Sequence, residues 1–305
     1  MKDLIVVVSG GLSRERDISL ITGRACFEAI KRKGYNTKLI DAKENLVEQI
    51  KKLKPSKILN ALHGKFGEDG FVQTIFEFMK IPYTHSGVLA SSLAMDKELS
   101  RIIFKKNFIK VPKYFVLHRG HENIFHKQIK LKKIKFPIVI KPINEGSSLD
   151  VYICNNNKSF TRHYKKLTKY NKIIVEEYVP GREIQVAVMG KKALGAIELV
   201  PKRKFYDYKA KYSKKAKTKH IMPAPLSLKK YREVLSLAKK AHTSLKCRGI
   251  TRSDFRFFNN KFFLLELNTQ PGMTELSLVP EIAAYKKIKF DELVDWMIKD
   301  ASLKR

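Results

Sequence analysis

The stretch TRSDFRFFNNKFFLLELNTQPGMTELSL, residues 251–278, decides which fold and chemistry this chain supports. It contains two runs rich in Phe and Leu that are separated by a pair of asparagines. Apolar runs separated by such residues are typical of a β-hairpin. We predict a loop from Asn259 to Lys261, which sets Phe258 opposite Phe262.

Counting outward from that loop sets Asp254 opposite Glu266 and Arg252 opposite Asn268. All four side chains then share one face, because side chains alternate along a strand with a period of two. Two carboxylates that face each other across strands repel unless a cation joins them. Carboxylate and amide oxygens suit Mg²⁺, which usually also keeps substrate phosphates in its shell. The hairpin therefore indicates a site for a metal-bound nucleotide.

Length and composition indicate a globular protein. A chain of 305 residues with 44% hydrophobic content can form two or three modest domains around real cores. The apolar run near the start, residues 4–8, is too short for a signal peptide or a bilayer span. Three widely spaced cysteines form no Cys-x-x-Cys pair, so neither a disulfide framework nor a zinc site is expected. A reducing cytoplasm is the simplest interpretation.

The net charge of +33 points in another direction, because a strongly basic chain is typical of nucleic-acid binders. Here the lysines are scattered over presumed helix faces such as 47–54 and 229–240. Specific nucleic-acid readers favour clustered arginines with stacking aromatics. A solvated basic surface is therefore favoured, and nucleic-acid binding is kept as the alternative from a different functional class.

The first part of the chain alternates between strand and helix patterns. We predict strands at 4–8, 37–40 and 57–61, with helices at 17–33 and 44–53. This alternation predicts a small parallel αβα domain whose ligands bind beyond the carboxyl ends of the strands. Glu15 and His63 both follow such strand ends.

A helix is predicted from 97 to about 107. Residues 110–180 are predicted to be mostly short strands, at 114–117, 137–141, 151–154 and 173–178, and further strands follow from 183. A helix at 229–246, the hairpin and a closing helix near 290–301 follow. The lysine-rich segment 201–220 has little apolar periodicity and is a candidate mobile loop.

Residues 138–148, IVIKPINEGSS, place Lys141 at the end of a strand and then a Gly-Ser-Ser loop that could offer backbone N–H groups to phosphate. Such turns are common, so this motif is weak alone. The order of the motifs that follow it strengthens the interpretation as a phosphate site. The segment VEEYVPGRE at 175–183 and then the acidic hairpin follow it in order.

That order closely resembles the ATP-grasp superfamily, and within it the D-alanine:D-alanine ligase family. The matching motifs are GGLSRERDIS at 10–19, ALHGKFGEDG at 61–70, MDK at 95–97, KPINEGSS at 141–148, FYDYKAKY at 205–212 and LNTQPGMT at 267–274, with Ser277-Leu278 after them. Any one of these could occur by chance. Six of them in the family's order make chance a poor explanation.

The resemblance implies an α/β protein in three parts. An αβα N-terminal substrate domain would span 1–93, a central ATP-grasp subdomain 94–180 and a C-terminal catalytic subdomain 181–305, with ATP between the last two. The implied reaction is ATP-dependent joining of two D-alanines through an acyl phosphate for peptidoglycan precursors. The implied cofactors are ATP and two Mg²⁺ ions, with Mn²⁺ as a substitute. The resemblance also implies a cytoplasmic homodimer with no nucleic-acid or membrane partner.

The resemblance assigns catalytic roles to five residues. Glu15 would bind the ammonium of the first D-alanine and form a hydrogen-bonded triad with Ser147 and Tyr212. Arg252 and the backbone N–H of Gly272 would stabilise the oxyanion of the tetrahedral intermediate.

The other implied roles concern binding. The substrate site would be lined by His63, Lys211, Ser277 and Leu278. The ATP phosphates would contact Lys97 and Lys141, the adenine pocket would be lined by Glu176, Glu177, Tyr178 and Val179, and the ribose would be held by Glu183. The metal would be bound by Asp254, Glu266 and Asn268.

Some of these residues have structural alternatives when taken singly. Glu15 could be a helix N-terminal acid, and Ser277 could be a helix N-cap. His63 could be a satisfied structural histidine. The family often has an acidic residue where this chain has Lys209. We nevertheless expect 205–220 to close as a lid over bound nucleotide. A ligase with a D-hydroxy acid or another D-amino acid as second substrate is the nearest alternative, and Tyr212 favours D-alanine.

Overall fold

The computed structural model describes residues 3–146, 149–201, 218–274 and 277–304. The predictions for Ser147, Lys209, Lys211 and Tyr212, and most of the predicted lid, lie outside the described residues. Within the described ranges, no helix is both long enough and apolar enough to span a bilayer.

The N-terminal part contains the predicted parallel sheet. Its strands are β1 (Leu4–Ser9), β2 (Asn36–Asp41) and β3 (Lys57–Asn60), in the order β2-β1-β3. The crossovers α1 (Arg16–Arg32) and α2 (Leu46–Leu53) confirm the predicted helices. Strand β1 is a continuous apolar run and is buried, as expected for a parallel strand covered on both faces.

Two short helices of this part were not predicted. Helix α3 (Phe71–Phe78) and helix α4 (Val88–Met95) have eight residues each. Helix α3 has three Phe, one Val and one Ile among its eight residues, and these residue types favour strands. Helix α4 is apolar around most of its circumference. Helix α5 (Lys97–Lys106) follows as predicted, and the carboxylate of Asp96 caps it by accepting from the backbone N–H groups of Glu98 and Leu99.

The central part is an antiparallel sheet of four strands. These are β4 (Tyr114–His118), β5 (Ile138–Pro142), β6 (Tyr152–Cys154) and β7 (Lys172–Glu177), in the order β4-β7-β5-β6. The prediction of four strands is confirmed, but the prediction that 110–180 is mostly strand was wrong. Helices α6 (Phe125–Leu131) and α7 (Asn157–Leu167) cover the sheet. The signal in α7 is Phe160, Tyr164 and Leu167, buried at helical spacing.

The C-terminal sheet is antiparallel and has the order β10-β9-β8-β11-β12. Its strands are β8 (Arg182–Met189), β9 (Lys192–Val200), β10 (Lys219–Ile221), β11 (Ile250–Phe258) and β12 (Lys261–Asn268). The predicted helix near 229–246 is α8 (Leu228–Ser244), and it packs on one face. The other face packs against α9 (Leu278–Tyr285), which was not predicted, and α10 (Phe290–Asp300).

The hairpin differs from its prediction at the turn and agrees with it at the site. Phe258 pairs with Lys261, so the turn has two residues, and both asparagines have positive φ angles of 46° and 59°. These angles are typical of a type I′ turn. The predicted three-residue loop and the pairing of Phe258 with Phe262 were therefore wrong.

A β-bulge restores the predicted pairing beyond the turn. Phe255 pairs with Leu264 and Asp254 pairs with Glu266, which leaves Leu265 as the extra residue on β12. The turn is one residue shorter than predicted and the bulge adds one residue, so the two differences cancel beyond the bulge. The predicted pairs, Asp254 with Glu266 and Arg252 with Asn268, are thus confirmed.

Helix α10 connects the N-terminal sheet to the C-terminal sheet. Helix α10 shares one hydrophobic core with β1 and α1, to which Ile5, Ile30, Leu293 and Met297 contribute. Polar contacts surround that core. The Tyr35 hydroxyl donates to Asp295 at 2.7 Å, and Arg32 pairs with Asp291. The N-terminal sheet is therefore fixed to the C-terminal sheet through α10.

Candidate active site

A cleft lies between the central and C-terminal sheets. The residues lining it that were predicted to bind nucleotide or metal are Lys97, Lys141, Glu176, Glu177, Tyr178, Val179, Glu183, Asp254 and Glu266. A smaller adjoining cavity is lined by Lys97, Glu266 and Asn268, together with Glu68 and Gly146. The structure therefore brings together residues that span more than half of the chain.

The hairpin supplies a charged face to this cleft. Arg252 donates from Nε and a terminal nitrogen to the two oxygens of Asp254, at 2.8 and 2.9 Å. Asn268 Nδ2 donates to the same carboxylate at 3.4 Å. The bulge turns both Leu265 and Glu266 toward the cleft, while Leu264 remains in the core. Asp254, Glu266 and Asn268 thus place oxygen atoms on one surface.

This set has two carboxylates and one amide. Among the described residues, no three His, Cys, Asp or Glu side chains cluster as a metal site. A cation held here would therefore draw further oxygen ligands from its substrate, as Mg²⁺ does in phosphate chemistry.

Lys97 connects the opposite walls of the cleft. It is the first residue of α5, and its Nζ donates to the Glu145 carbonyl at 2.5 Å and lies 3.9 Å from Glu266 Oε2. Burial lowers the pKa of its ammonium, while the charge of Glu266 acts in the opposite direction. This buried cation is suited to an anionic substrate group.

Lys141 is held by a buried ion network. Its Nζ lies 2.9 Å from Glu176 Oε1, and Arg101 binds the other oxygen of the same carboxylate. Burial alone would raise the pKa of Glu176, but Arg101 and Lys141 more than offset this, so the pKa lies below its usual value. Glu176 lines the cleft, and its carboxylate is bound to these two cations. Sequence reasoning missed Arg101, whose signal is its spacing of four residues from Lys97 on α5.

The segment after β7 forms another wall. The Glu177 side chain accepts from the backbone N–H of Lys113 at 2.9 Å, and the backbone N–H of Tyr178 donates to the Pro137 carbonyl at 3.1 Å. Val179 is buried. These contacts fix the backbone of the predicted adenine pocket against the central sheet.

Glu15 is buried beyond the carboxyl end of β1. It occupies the N-cap position of α1, but within the described residues its side chain makes no capping hydrogen bond. Its position at the start of α1 still fits the structural alternative of a helix N-terminal acid stabilised by the helix dipole. A Cβ atom placed on Gly146 would lie 2.7 Å from Glu15 Oε1, so the backbone at Gly146 approaches this carboxylate closely.

His63 is a buried neutral base. Its Nε2 lies 3.0 Å from Thr22 Oγ1. Burial lowers its pKa to about 4, so the ring is uncharged near neutral pH.

Sequence reasoning also missed Glu68, which lies within the quoted motif ALHGKFGEDG. Its Oε1 accepts from the backbone N–H of Gly64 at 3.0 Å, and its side chain lines the smaller cavity. Burial, followed by the charge of Glu15, raises its pKa to about 8. Two neighbouring carboxyls with different environments are therefore present at this end of the cleft.

Gly272 and Ser277 lie close together. A Cβ atom placed on Gly272 would lie 3.1 Å from Ser277 Oγ. Ser277 occupies the N-cap position of α9 but makes no side-chain cap, and its Oγ accepts from the Thr274 backbone N–H at 3.0 Å. The side chain of Leu278 is buried in the core, so any contact with substrate would fall to its backbone.

Comparisons with known proteins agree with this geometry. The family model described as "D-ala D-ala ligase C-terminus" matches residues 103–299. A D-alanine–D-alanine ligase from Pelagibacter ubique is 53% identical over 100% of both chains. Another from Wolbachia pipientis wMel is 46% identical over 97% of this chain and 94% of its own.

Solved structures agree as well. A crystal structure of D-alanine–D-alanine ligase from Bacillus anthracis complexed with ATP has a TM-score of 0.86 and 29% identity, over 98% of this chain and 97% of that one. A second structure of that protein gives a TM-score of 0.87 and 31% identity, with the same coverage. With its mixed α/β ATP-grasp fold, the chain belongs to the D-alanine–D-alanine ligase family.

Proposed function

We propose that this chain uses ATP to join two D-alanines into D-alanyl-D-alanine for peptidoglycan synthesis. The observation that carries the proposal is the single cleft in which Lys97 and Lys141 meet the Asp254 and Glu266 pair. Two cations for phosphate and two carboxylates for a metal are the groups that phosphoryl transfer requires.

The chemistry has two steps. A carboxylate oxygen of the first D-alanine attacks the γ-phosphorus of ATP, which gives D-alanyl phosphate and ADP. The amine of the second D-alanine, after losing a proton, attacks the carbonyl carbon, and inorganic phosphate leaves. Activation is needed because a carboxylate is a poor electrophile, and phosphate is a much better leaving group than oxide.

Lys97 and Lys141 would neutralise phosphate oxygens from two sides. Glu176 and Arg101 support this role, because their network fixes Lys141 at the cleft wall before nucleotide arrives. Glu177, Tyr178 and Val179 would surround the adenine, and Glu183 would accept from the ribose.

Asp254, Glu266 and Asn268 would hold magnesium, with two ions proposed and Mn²⁺ as a substitute. Their hard oxygen donors on one face suit this ion. Bound Mg²⁺ would neutralise charge on the transferred phosphoryl group. Arg252 pairs with Asp254, one of these proposed metal ligands. Its guanidinium would bind the oxyanion of the second step together with the Gly272 N–H.

The D-alanine sites are proposed at the Glu15 end of the cleft. Glu15 would hold the first ammonium, supported by its burial against Gly146, and neutral His63 would lie beside it. Ser277 and the Leu278 backbone would bind the second carboxylate. Ser147, Lys211 and Tyr212 retain their family roles as proposals.

We further propose the division into 1–93, 94–180 and 181–305. The second boundary falls between β7 and β8, and the first falls in the last turn of α4. The chain would act as a cytoplasmic homodimer. Its three cysteines, all buried and free, are consistent with a reducing compartment.

One assay tests the reaction. Purified protein with ATP and Mg²⁺ should release phosphate with D-alanine but not with L-alanine, and chromatography should show D-alanyl-D-alanine. D-lactate offered beside D-alanine tests the alternative second substrate, since the product would then be an ester. Phosphate release without any D-alanyl-D-alanine would contradict the proposal.

A further inference from the structure

The carboxylate of Glu183 has a partner at each of its two oxygens. Gln185 Nε2 donates to Oε1 at 3.3 Å, and a guanidinium nitrogen of Arg256 lies 3.6 Å from Oε2. The strand pairing causes this arrangement. Gln185 is two residues along β8 from Glu183, and Arg256 is directly opposite Glu183 on β11, so all three share one face.

Gln185 is well placed to fix an orientation. It is 1% exposed, and its hydrogen bond to Glu183 requires the amide nitrogen on that side, because an amide oxygen would repel the carboxylate. The amide oxygen is buried and has no hydrogen-bond partner among the described residues. Gln185 pairs with Asp254 on β11, so its side chain lies on the same face of the sheet as Asp254.

Arg256 fixes the same carboxylate from the other side and also holds the linker between the two sheets. Its second terminal nitrogen donates to the Gly181 carbonyl at 3.1 Å, and its guanidinium lies 6.0 Å from the ring centre of Tyr178. Gly181 has a φ of +97°, and a Cβ there would lie 2.4 Å from the Phe257 carbonyl oxygen. The linker and the carboxylate are thus held against β11 together.

We propose that Gln185 and Arg256 are positioning residues that orient Glu183 to accept hydrogen bonds from both ribose hydroxyls of the nucleotide, which makes the site selective for ribonucleotides. This inference rests on the ribose-binding role proposed for Glu183. An ionised carboxylate only accepts, and it can serve two neighbouring hydroxyls at once when its plane faces them. A carboxylate free to rotate would serve a single hydroxyl almost as well and would discriminate little.

The test measures KM and kcat with ATP, 2′-deoxy-ATP and 3′-deoxy-ATP at saturating D-alanine. For each deoxynucleotide, its KM divided by the KM for ATP is the selectivity ratio. Gln185→Leu and Arg256→Met should each lower this ratio about 5-fold, mainly by raising the KM for ATP, with kcat little changed. If both variants raise all three KM values equally and the ratio stays at the wild-type value, the proposal is overturned.

Two further variants complete the design. Arg182→Met removes an arginine ion pair, with Glu198, from the other face of β8, and it should leave the ratio unchanged. If Arg256→Met does not fold, Arg256→Lys keeps the charge and loses the fork, and it should still lower the ratio.

Glu183→Gln tests the ribose-binding role of Glu183 separately from the positioning role of Gln185 and Arg256. A ratio near one in Glu183→Gln, with wild-type ratios in the Gln185 and Arg256 variants, would overturn the positioning role and leave the ribose role standing. An unchanged ratio in Glu183→Gln would overturn the ribose role, and the positioning role with it.

Discussion

Arg252 and Asp254, two residues apart on β11, form a two-pronged ion pair with contacts of 2.8 and 2.9 Å. One was predicted to stabilise an oxyanion and the other to bind a metal, so two proposed roles meet in one contact. In this arrangement the guanidinium neutralises the carboxylate. A divalent cation arriving with nucleotide would compete with Arg252 for Asp254, which would leave the guanidinium available to the reacting centre.

Removing charge from the proposed metal site should abolish most activity and keep the fold. Asp254→Asn and Glu266→Gln preserve shape, but phosphate charge would then be poorly neutralised, so kcat should fall about 100-fold or more. Steady-state kinetics across a Mg²⁺ titration measure this effect. Asp291→Asn, which removes an ion pair with Arg32, is the matched control and should keep full activity. Near-normal rates in either site variant would contradict the metal assignment.

Arg252→Lys should slow the reaction more than it weakens binding. Lysine keeps the charge and loses the planar fork. A donor that acts mainly on the intermediate contributes to kcat, so we expect a fall of about 100-fold with Michaelis constants close to wild type. A change confined to the Michaelis constants would instead place Arg252 in ground-state binding.

A glycine at the second position of the hairpin turn should stabilise the protein. Asn259 and Asn260 both have positive φ, and glycine is favoured at the second position of a type I′ turn. We expect Asn260→Gly to raise the free energy of unfolding by about 0.5 kcal/mol, and Asn260→Val to lower it by about 1 kcal/mol or more. Urea denaturation measures both values. Destabilisation by glycine would show that the asparagine side chain stabilises the turn.

Glu68→Gln should stabilise the protein at high pH. The raised pKa, about 8 instead of 4.5, means that the folded protein keeps a proton that the unfolded chain loses. The contribution of Glu68 to the free energy of unfolding is therefore fully present below pH 4.5 and is lost as pH rises toward 8. The variant should gain roughly 1–3 kcal/mol over wild type at pH 8 and little at pH 4.5, a range reduced because Glu68 is partly exposed. An equal difference at both pH values would mean that the pKa is not raised.

Local patterns in the sequence predicted much of the fold. The parallel sheet and the long helices follow from periodicity, and the facing of Asp254 and Glu266 follows from strand alternation. The predicted pairing is correct although the predicted turn is wrong. The sequence does not distinguish a two-residue turn followed by a bulge at Leu265 from a three-residue loop without a bulge. Short helices such as α3 and α4 offer too few turns for a clear helical period.

The supporting residues of the site could not be predicted because their partners are distant in sequence. Arg101 and Glu176 are 75 positions apart, and they meet only when α5 lies against β7. Arg256 meets Glu183 through strand pairing between β11 and β8, which no local pattern encodes. Sequence motifs identify residues that resemble known sites, whereas residues that hold them in place depend on tertiary packing.

The core that α10 shares with β1 and α1 has a consequence for how the protein forms on the ribosome. Ile5 and Ile30 are synthesised more than 250 residues before Leu293 and Met297, which belong to the same core. Until α10 emerges from the exit tunnel, the face of the N-terminal sheet that it covers remains exposed to water. A chain that stops before α10 would therefore carry an uncovered apolar face, which favours aggregation.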